Sequence, residues 1–391
     1  MTADPPEGCL AIVTTALGRT TDVSQRRHVA ELFGGRTAVI CKSIEPGFAT
    51  DRPVLRLADK RRPLGERMAW EVGKAVQTIR FRASNVPFGR DRRQVLDFLR
   101  ANRAFAILAE YGHHGSNMAP IGQELGIPVI AYFRGFDASK RLVSPFRILS
   151  YKAALPRLAG HVAVSRSLLE NLAAHGIVHP NAHVIPSGVD TARFAPGKKD
   201  PQLLLAIGRL VPKKAPETTI AAFARIAAAF PETRLEIVGD GPLRPRCEAL
   251  IERLGLRGRA RLHGFQPHEV VRDLLARAPI FLQHSVTDAE GNEEGLPIAV
   301  QEAMASGAAV ISTRHAGIPD AVEDGEDGLL VAENDLDAYA EALRRLVSDD
   351  SARTRLAQAA RARAEAELDT SRLHRRLEAI ILDAIRARPR S

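Results

Sequence analysis

Cysteine is scarce. Three residues in 391, at Cys9, Cys41 and Cys247, lie too far apart for a metal set, and no disulfide framework is expected. A reducing cytoplasm fits that usage. Aromatic residues make up only 5% of the chain, with one Trp and four Tyr. No aromatic-rich basic strand of the kind that binds nucleic acid accompanies the charge. Long apolar runs are also missing: nothing approaches the roughly 20 residues needed to cross a bilayer. The start, "MTADPPEG", has no basic stretch followed by an apolar one, so no secretory leader is expected. What is present is 45% hydrophobic and 26% charged, the balance of a soluble globular protein, at a length that suits two domains.

Charge is unevenly shared. Residues 1–199 hold 29 Lys and Arg against 16 Asp and Glu, whereas the remainder holds 26 against 30. Residues 51–103 alone carry 14 basic side chains against 6 acids, including "KRRPLGER" and "FRASNVPFGRDRR". Such a half suits an anionic partner, a membrane surface or lipid phosphate before nucleic acid. A solvated arginine-rich face accounts for it equally well, and charge alone does not choose.

Short β-branched runs alternate with helical patterns twice over. The first half offers strands at 9–15, 37–41, 104–110, 127–133, 161–165 and 183–188; the second at 203–209, 234–240, 259–265, 279–285, 308–314 and 328–333. Continuous apolar runs indicate strands buried on both faces, as in a parallel sheet under helices. Two doubly wound α/β domains are expected, 1–198 and 199–370, split at "RFAPGKKDPQ" (193–202). Residues 371–391 form a last helix that could return to the first domain. Ligands of such sheets bind beyond the carboxyl ends of the strands, so the loops there are the place to look for chemistry.

In "EEGLPIAVQEAMASG" (293–307), Glu294 precedes a helix and Glu302 lies within it. Proline at the first turn and glycine past the end mark the helix. A carboxylate among Ala, Val and Met is costly without a partner. Sugar or ribose hydroxyls would satisfy both acids, while an arginine partner for Glu302 and a surface position for Glu294 explain the spacing as well. "AIGRLVPKKAPETTI" places Arg209 just after a strand and Lys214 before a helix, suited to a diphosphate. "EIVGDGP" ends a strand with a Gly-x-Gly turn, for a ligand or for tight packing.

Together, Gly-Arg-Leu…Lys, "VGDGP", "LHGF", "EEGLPIAVQEAMASG", "GIPDAVEDGEDGLLV" and "VIPSGVDTARFAP" resemble family 4 glycosyltransferases. The form "SVTDAEGNEEGLP" is most similar to the bacterial exopolysaccharide, colanic-acid-type subgroup. The resemblance implies the GT-B fold, two Rossmann-like domains facing a central cleft. It implies a retaining, metal-independent hexosyl transfer from a nucleotide diphosphate sugar, UDP- or GDP-linked, to a saccharide or polyprenyl-diphosphate-linked acceptor, with no cofactor. Glu302 would hold the ribose and Glu294 the donor sugar. Gly295, Leu296 and Pro297 would line the donor side, Arg209 and Lys214 would neutralise the diphosphate, and Gly18 would sit beside the phosphates. "RGFD" (134–137) departs from the family's His-Gly-x-Asp: Arg134 stands where a histidine contacts the donor, and an arginine cannot act as a base. Ala215 replaces a usual glycine and His284 a usual proline. His114 and Asp137 are candidates for the acceptor, with plain loop packing the alternative for His113 and His114. Asp-x-Asp at 335–337 opens a helix, where capping explains it better than a metal.

The expected protein is cytoplasmic, peripheral at the inner membrane through its basic half. A sugar-nucleotide epimerase, a phosphorylase-like enzyme and a non-catalytic nucleotide-sugar-binding protein are the rival readings.

Overall fold

The structure, a computed structural model, describes residues 6–19, 22–57 and 64–387. The first half of the basic "KRRPLGER" stretch, residues 60–63, lies outside them. Two compact units emerge, one running to Ile185 and resuming at His374, the other spanning Pro186–Leu373.

The first unit is built on seven parallel strands. In chain order they are β1 Cys9–Val13, β3 Thr37–Cys41, β5 Val54–Arg56, β6 Ala104–Glu110, β7 Val129–Phe133, β8 Gly160–Ala163 and β9 Ala182–Val184. Their order in the sheet is β5-β3-β1-β6-β7-β8-β9. A two-stranded flap pairs β2 Ala16–Leu17 with β4 Ser43–Ile44. The second unit has six parallel strands: β10 Leu203–Ile207, β11 Arg234–Val238, β12 Ala260–Leu262, β13 Ile280–Leu282, β14 Ala309–Thr313 and β15 Gly328–Val331. Their order is β12-β11-β10-β13-β14-β15.

Why these runs become parallel strands is visible in the second core. Leu204 and Ala206 of β10 join one apolar cluster, and Leu203 and Leu205 join another on the opposite face. Ile280 and Leu282 of β13 divide from Phe281 in the same way. The period of two sends alternate residues to opposite faces, and both faces are covered. Each fully buried Leu, Ile or Phe contributes roughly 1.5–3 kcal/mol of transfer free energy. Helix starts follow local rules: Ser165, Asp335 and Asp349 each accept a bond from the amide three residues on.

The expected linker belongs to the second unit. Val189 and Phe194 are fully buried in that unit's core, Gly197 donates to the Ala276 carbonyl, and the Lys199 ammonium holds the Ala278 and Ser306 carbonyls. The stretch 193–202 is therefore pinned rather than slack, and the division falls near 185 instead of 198.

Both sheets change direction once. After β5 the chain returns to the other side of β1 with β6, and after β12 it returns to the other side of β10 with β13. The crevices outside the carboxyl ends of β1/β6 and of β10/β13 are the natural ligand positions.

Candidate active site

At the second switch point, β10 ends at Ile207 and the chain continues through Gly208-Arg209-Leu210 into a 3-10 turn, Pro212–Lys214. The Lys214 stem lies over Gly208, where a Cβ would stand 3.5 Å from Lys214 Cδ. From β13 a long loop carries Glu294. The Nζ atoms of Lys213 and Lys214 each lie 3.4 Å from Glu294 Oε1, and Lys213 also donates to the Glu293 carbonyl at 3.0 Å. Arg209 stands exposed beside them and adds its positive field to Lys214. Two lysines thus share one carboxylate with the Arg209 charge acting on one of them, an excess of positive charge that invites a further anion.

Electrostatics follow from that crowding. Burial pushes the Lys214 ammonium below its ordinary value, and Glu294 offsets this only in part. Burial would raise the Glu294 carboxyl, but Lys214 and Lys213 outweigh it and hold the group below the usual carboxylate range.

The loops are held from below. Gly239, at φ +138°, crosses so close to Gly208 that a Cβ would fall 1.9 Å from the Gly208 carbonyl oxygen. Gly241 likewise has no room for a Cβ against the Leu210 carbonyl. The Gly-x-Gly turn is therefore a backbone crossing that supports the Arg209 loop. On the other side, the Glu294 amide donates to His315 Nε2 at 3.1 Å, and His315 Nδ1 meets Glu333 Oε1 at 2.6 Å. Because Nε2 accepts, the proton must sit on Nδ1, and Glu333 selects that tautomer. The Gly317 amide donates to the Gly295 carbonyl at 3.0 Å. Lys213, His315 and Glu333 were not singled out by sequence reasoning.

Pro297 caps the helix Ile298–Ala305 and lies just outside it rather than in its first turn. Leu296 is buried, as is Glu302 inside the helix. The first amides of any helix have no intrahelical acceptor and carry partial positive charge. His284, in the position of the family's proline, is fully buried and accepts from the Asn334 amide at 3.0 Å, with burial lowering it to about 4. A cavity of about 640 Å³ in this unit, lined by Pro196, Pro279, Gly307 and Arg361 among others, lies at the amino ends of the strands, away from these residues.

The first unit gathers its polar residues at its own switch point. Gly18, at φ +92°, packs under the Phe48 ring, where a Cβ would lie 2.3 Å from Cγ. His114, at the start of the helix Gly112–Leu125, meets Thr15 Oγ1 at 2.9 Å, and its neighbour His113 packs against it. Burial lowers His114 to about 4 and His113 to about 2, so both are neutral. Arg134 donates from Nε to Glu110 Oε2 at 2.7 Å and from Nη1 to Ser24 Oγ at 2.5 Å, and it lies over the Tyr132 ring. Glu110 also holds His28 Nδ1 at 2.6 Å. Arg134 and His28 overcome the cost of burial and bring Glu110 to about 2, while burial holds His28 at about 4. The Arg134 side chain is 10% exposed, so its charge is spent largely within the unit. Asp137 is buried and accepts from the amides of Gly112, Arg134 and Gly135, which shapes the "RGFD" loop.

Parallel sheets with a cationic cluster at the strand ends define an anion-binding α/β site, and comparison with known proteins narrows the class. The second unit matches the model for glycosyl transferases group 1 over residues 189–363, and the first matches glycosyltransferase family 4 over 51–193. Between them the two glycosyltransferase models match residues 51–363 of this chain. Among its relatives is WcaL of Escherichia coli K12, a glycosyltransferase provisionally assigned to colanic acid biosynthesis. It is 34% identical over 248 residues, covering 62% of this chain and 61% of WcaL. The amylovoran biosynthesis glycosyltransferase AmsK of Erwinia amylovora is 31% identical over 260 residues, covering 64% of this chain and 63% of AmsK. The chain thus spans less than two thirds of these relatives. In fold it is similar to HepE of Anabaena, solved with UDP and glucose, at a TM-score of 0.77 and 16% identity over 96% of this chain and all of HepE. The architecture is GT-B.

Proposed function

We propose that the protein is a retaining, metal-independent glycosyltransferase of cell-surface or exopolysaccharide assembly, moving a hexosyl group from a UDP- or GDP-sugar to a saccharide or lipid-linked saccharide held by the first unit. The observation that carries this is the pair Lys213 and Lys214 on the Glu294 carboxylate, with the Arg209 charge acting on Lys214, at the β10/β13 switch point. HepE, solved with UDP and with UDP-glucose, supports a uridine donor, and relatives named as GDP-mannose-dependent keep guanosine in view.

In this reading the cations take the diphosphate, Glu302 the ribose, and Glu294 the sugar hydroxyls, with the Gly295 and Leu296 amides beside them. The acceptor oxygen bonds to the anomeric carbon as the bond from that carbon to the diphosphate oxygen breaks. The nucleoside diphosphate departs, and the acceptor proton passes to its phosphate oxygen on the same face. Fixed cations stabilise the charge developing on the leaving group, the largest effect such a site offers.

Titration calorimetry with UDP and GDP, followed by transfer assays, tests the scheme. Lys214→Ala and Glu294→Ala are each expected to lower kcat by about 100-fold or more with the fold retained. Unchanged turnover in either would overturn it. Transfer is also expected to survive EDTA, and loss restored by a divalent ion would refute metal independence.

A further inference from the structure

The helix Leu64–Phe81 has two apolar faces. Its inner face is seated on Phe88: Trp70 lies 6.1 Å from that ring, and Gly73 leaves it no room for a Cβ. Its outer face carries Met68, Val72, Val76 and Ile79, which are 77%, 61%, 52% and 67% exposed. These fall at i, i+4, i+8 and i+11, a continuous stripe along the helix. The helix Pro145–Ala154 packs against it and adds Phe146 and Leu149 to the exposed apolar surface, with Val143 just before it. Monomeric proteins rarely leave such a patch to water.

Cations lie on the same helices and on the turn before the second. Arg80, Arg141 and Arg147 lie over the rings of Phe81, Phe136 and Tyr151 at 5.0, 4.9 and 5.8 Å, and none has an acidic partner among the described residues. Glu71 is an exposed acid on the same helix. Apolar side chains flanked by arginines match an interfacial helix on an anionic bilayer, with the chains among acyl groups and the guanidinium groups at lipid phosphates.

We infer that this face docks the protein on an anionic lipid bilayer. The inference deepens the proposed function by naming where its acceptor resides: Phe136, at the rim of the face, lies two residues beyond Arg134 in the "RGFD" loop. A polyprenyl-anchored acceptor would then reach the first unit from the membrane plane.

Cosedimentation of the full chain with phosphatidylglycerol-containing vesicles tests this, with phosphatidylcholine vesicles as control. The wild-type protein is expected to bind the anionic vesicles and to release as salt rises. A variant carrying Met68→Ser, Val72→Ser and Val76→Ser is expected to lose at least tenfold in vesicle affinity with UDP affinity unchanged. Arg80→Glu with Arg141→Glu is expected to abolish the preference for anionic lipid. Equal binding to both vesicle types, or undiminished binding by the triple variant, overturns the inference. So does a solution dimer that the triple variant dissociates, since the face would then belong to a second copy. Vesicle binding without any nucleotide affinity would sink the enzymatic reading alone and leave the docking face standing.

Discussion

Lys213 and Lys214 are adjacent in sequence yet reach the same oxygen of Glu294, because the 3-10 turn between β10 and its helix rotates both stems inward. Lys213 also ties down the Glu293 carbonyl, so its removal both loosens the loop and deletes a charge. Lys213→Ala is expected to lower kcat/KM by roughly tenfold to a hundredfold, read in the same transfer assay; a change within twofold would remove Lys213 from the site. The next residue pays a conformational cost. Ala215 sits at φ +37°, ψ +53°, the left-handed region where a Cβ crowds the following carbonyl. Ala215→Gly is expected to raise stability by about 1 kcal/mol, seen as roughly 2–4 °C in calorimetric Tm. A lower Tm would show that chain entropy outweighs the relief.

At the scale of elements, the end of β14 acts on the loop from β13 through His315. Its ring fixes the Glu294 amide on one side and answers to Glu333 on the other. His315→Ala is expected to cut transfer about 10- to 100-fold while leaving UDP affinity within a fewfold, because the carboxylate loses its aim and the cations stay. Equal losses in UDP binding would point to wholesale loop collapse. These partners lie 21 and 18 residues from His315, which is why a local reading of the chain passed over them. Glu294 and Lys214 were legible because each stands in a short motif with a glycine or proline beside it. The long buried strands were legible for a similar reason: their apolar runs have no polar face. β5, three half-exposed residues, and the two-residue β2 and β4 carry no such run and went unseen. The commitments of Arg134 were also out of reach, since Glu110 and Ser24 are 24 and 110 positions away and only the fold brings them together.

Over the whole molecule, several histidines are buried in the neutral form, and this sets the response to acid. His28 has a folded-state pKa of about 4 against 6.5 for the free side chain. Between those values the unfolded chain binds more protons than the folded one, so stability rises with pH across that window and is lost as pH falls from 6.5 to 4. His114 and His284 act in the same direction, and Glu110, held at about 2, adds its loss only below its free value of 4.5. His28 alone amounts to roughly 3 kcal/mol. Urea midpoints measured between pH 7 and 4 should fall steadily, and a flat profile would mean that His28 is not held neutral. The course of the chain adds a different consequence. Its final helix, Thr370–Arg386, leaves the second unit and supplies Leu377, Ile381 and Ala384 as buried residues, while His374 meets Glu31 and Glu378 accepts from the Phe33 amide. A protease cut near residue 186 would therefore leave both halves still tethered, and a gene truncated there would encode a first half stripped of one wall.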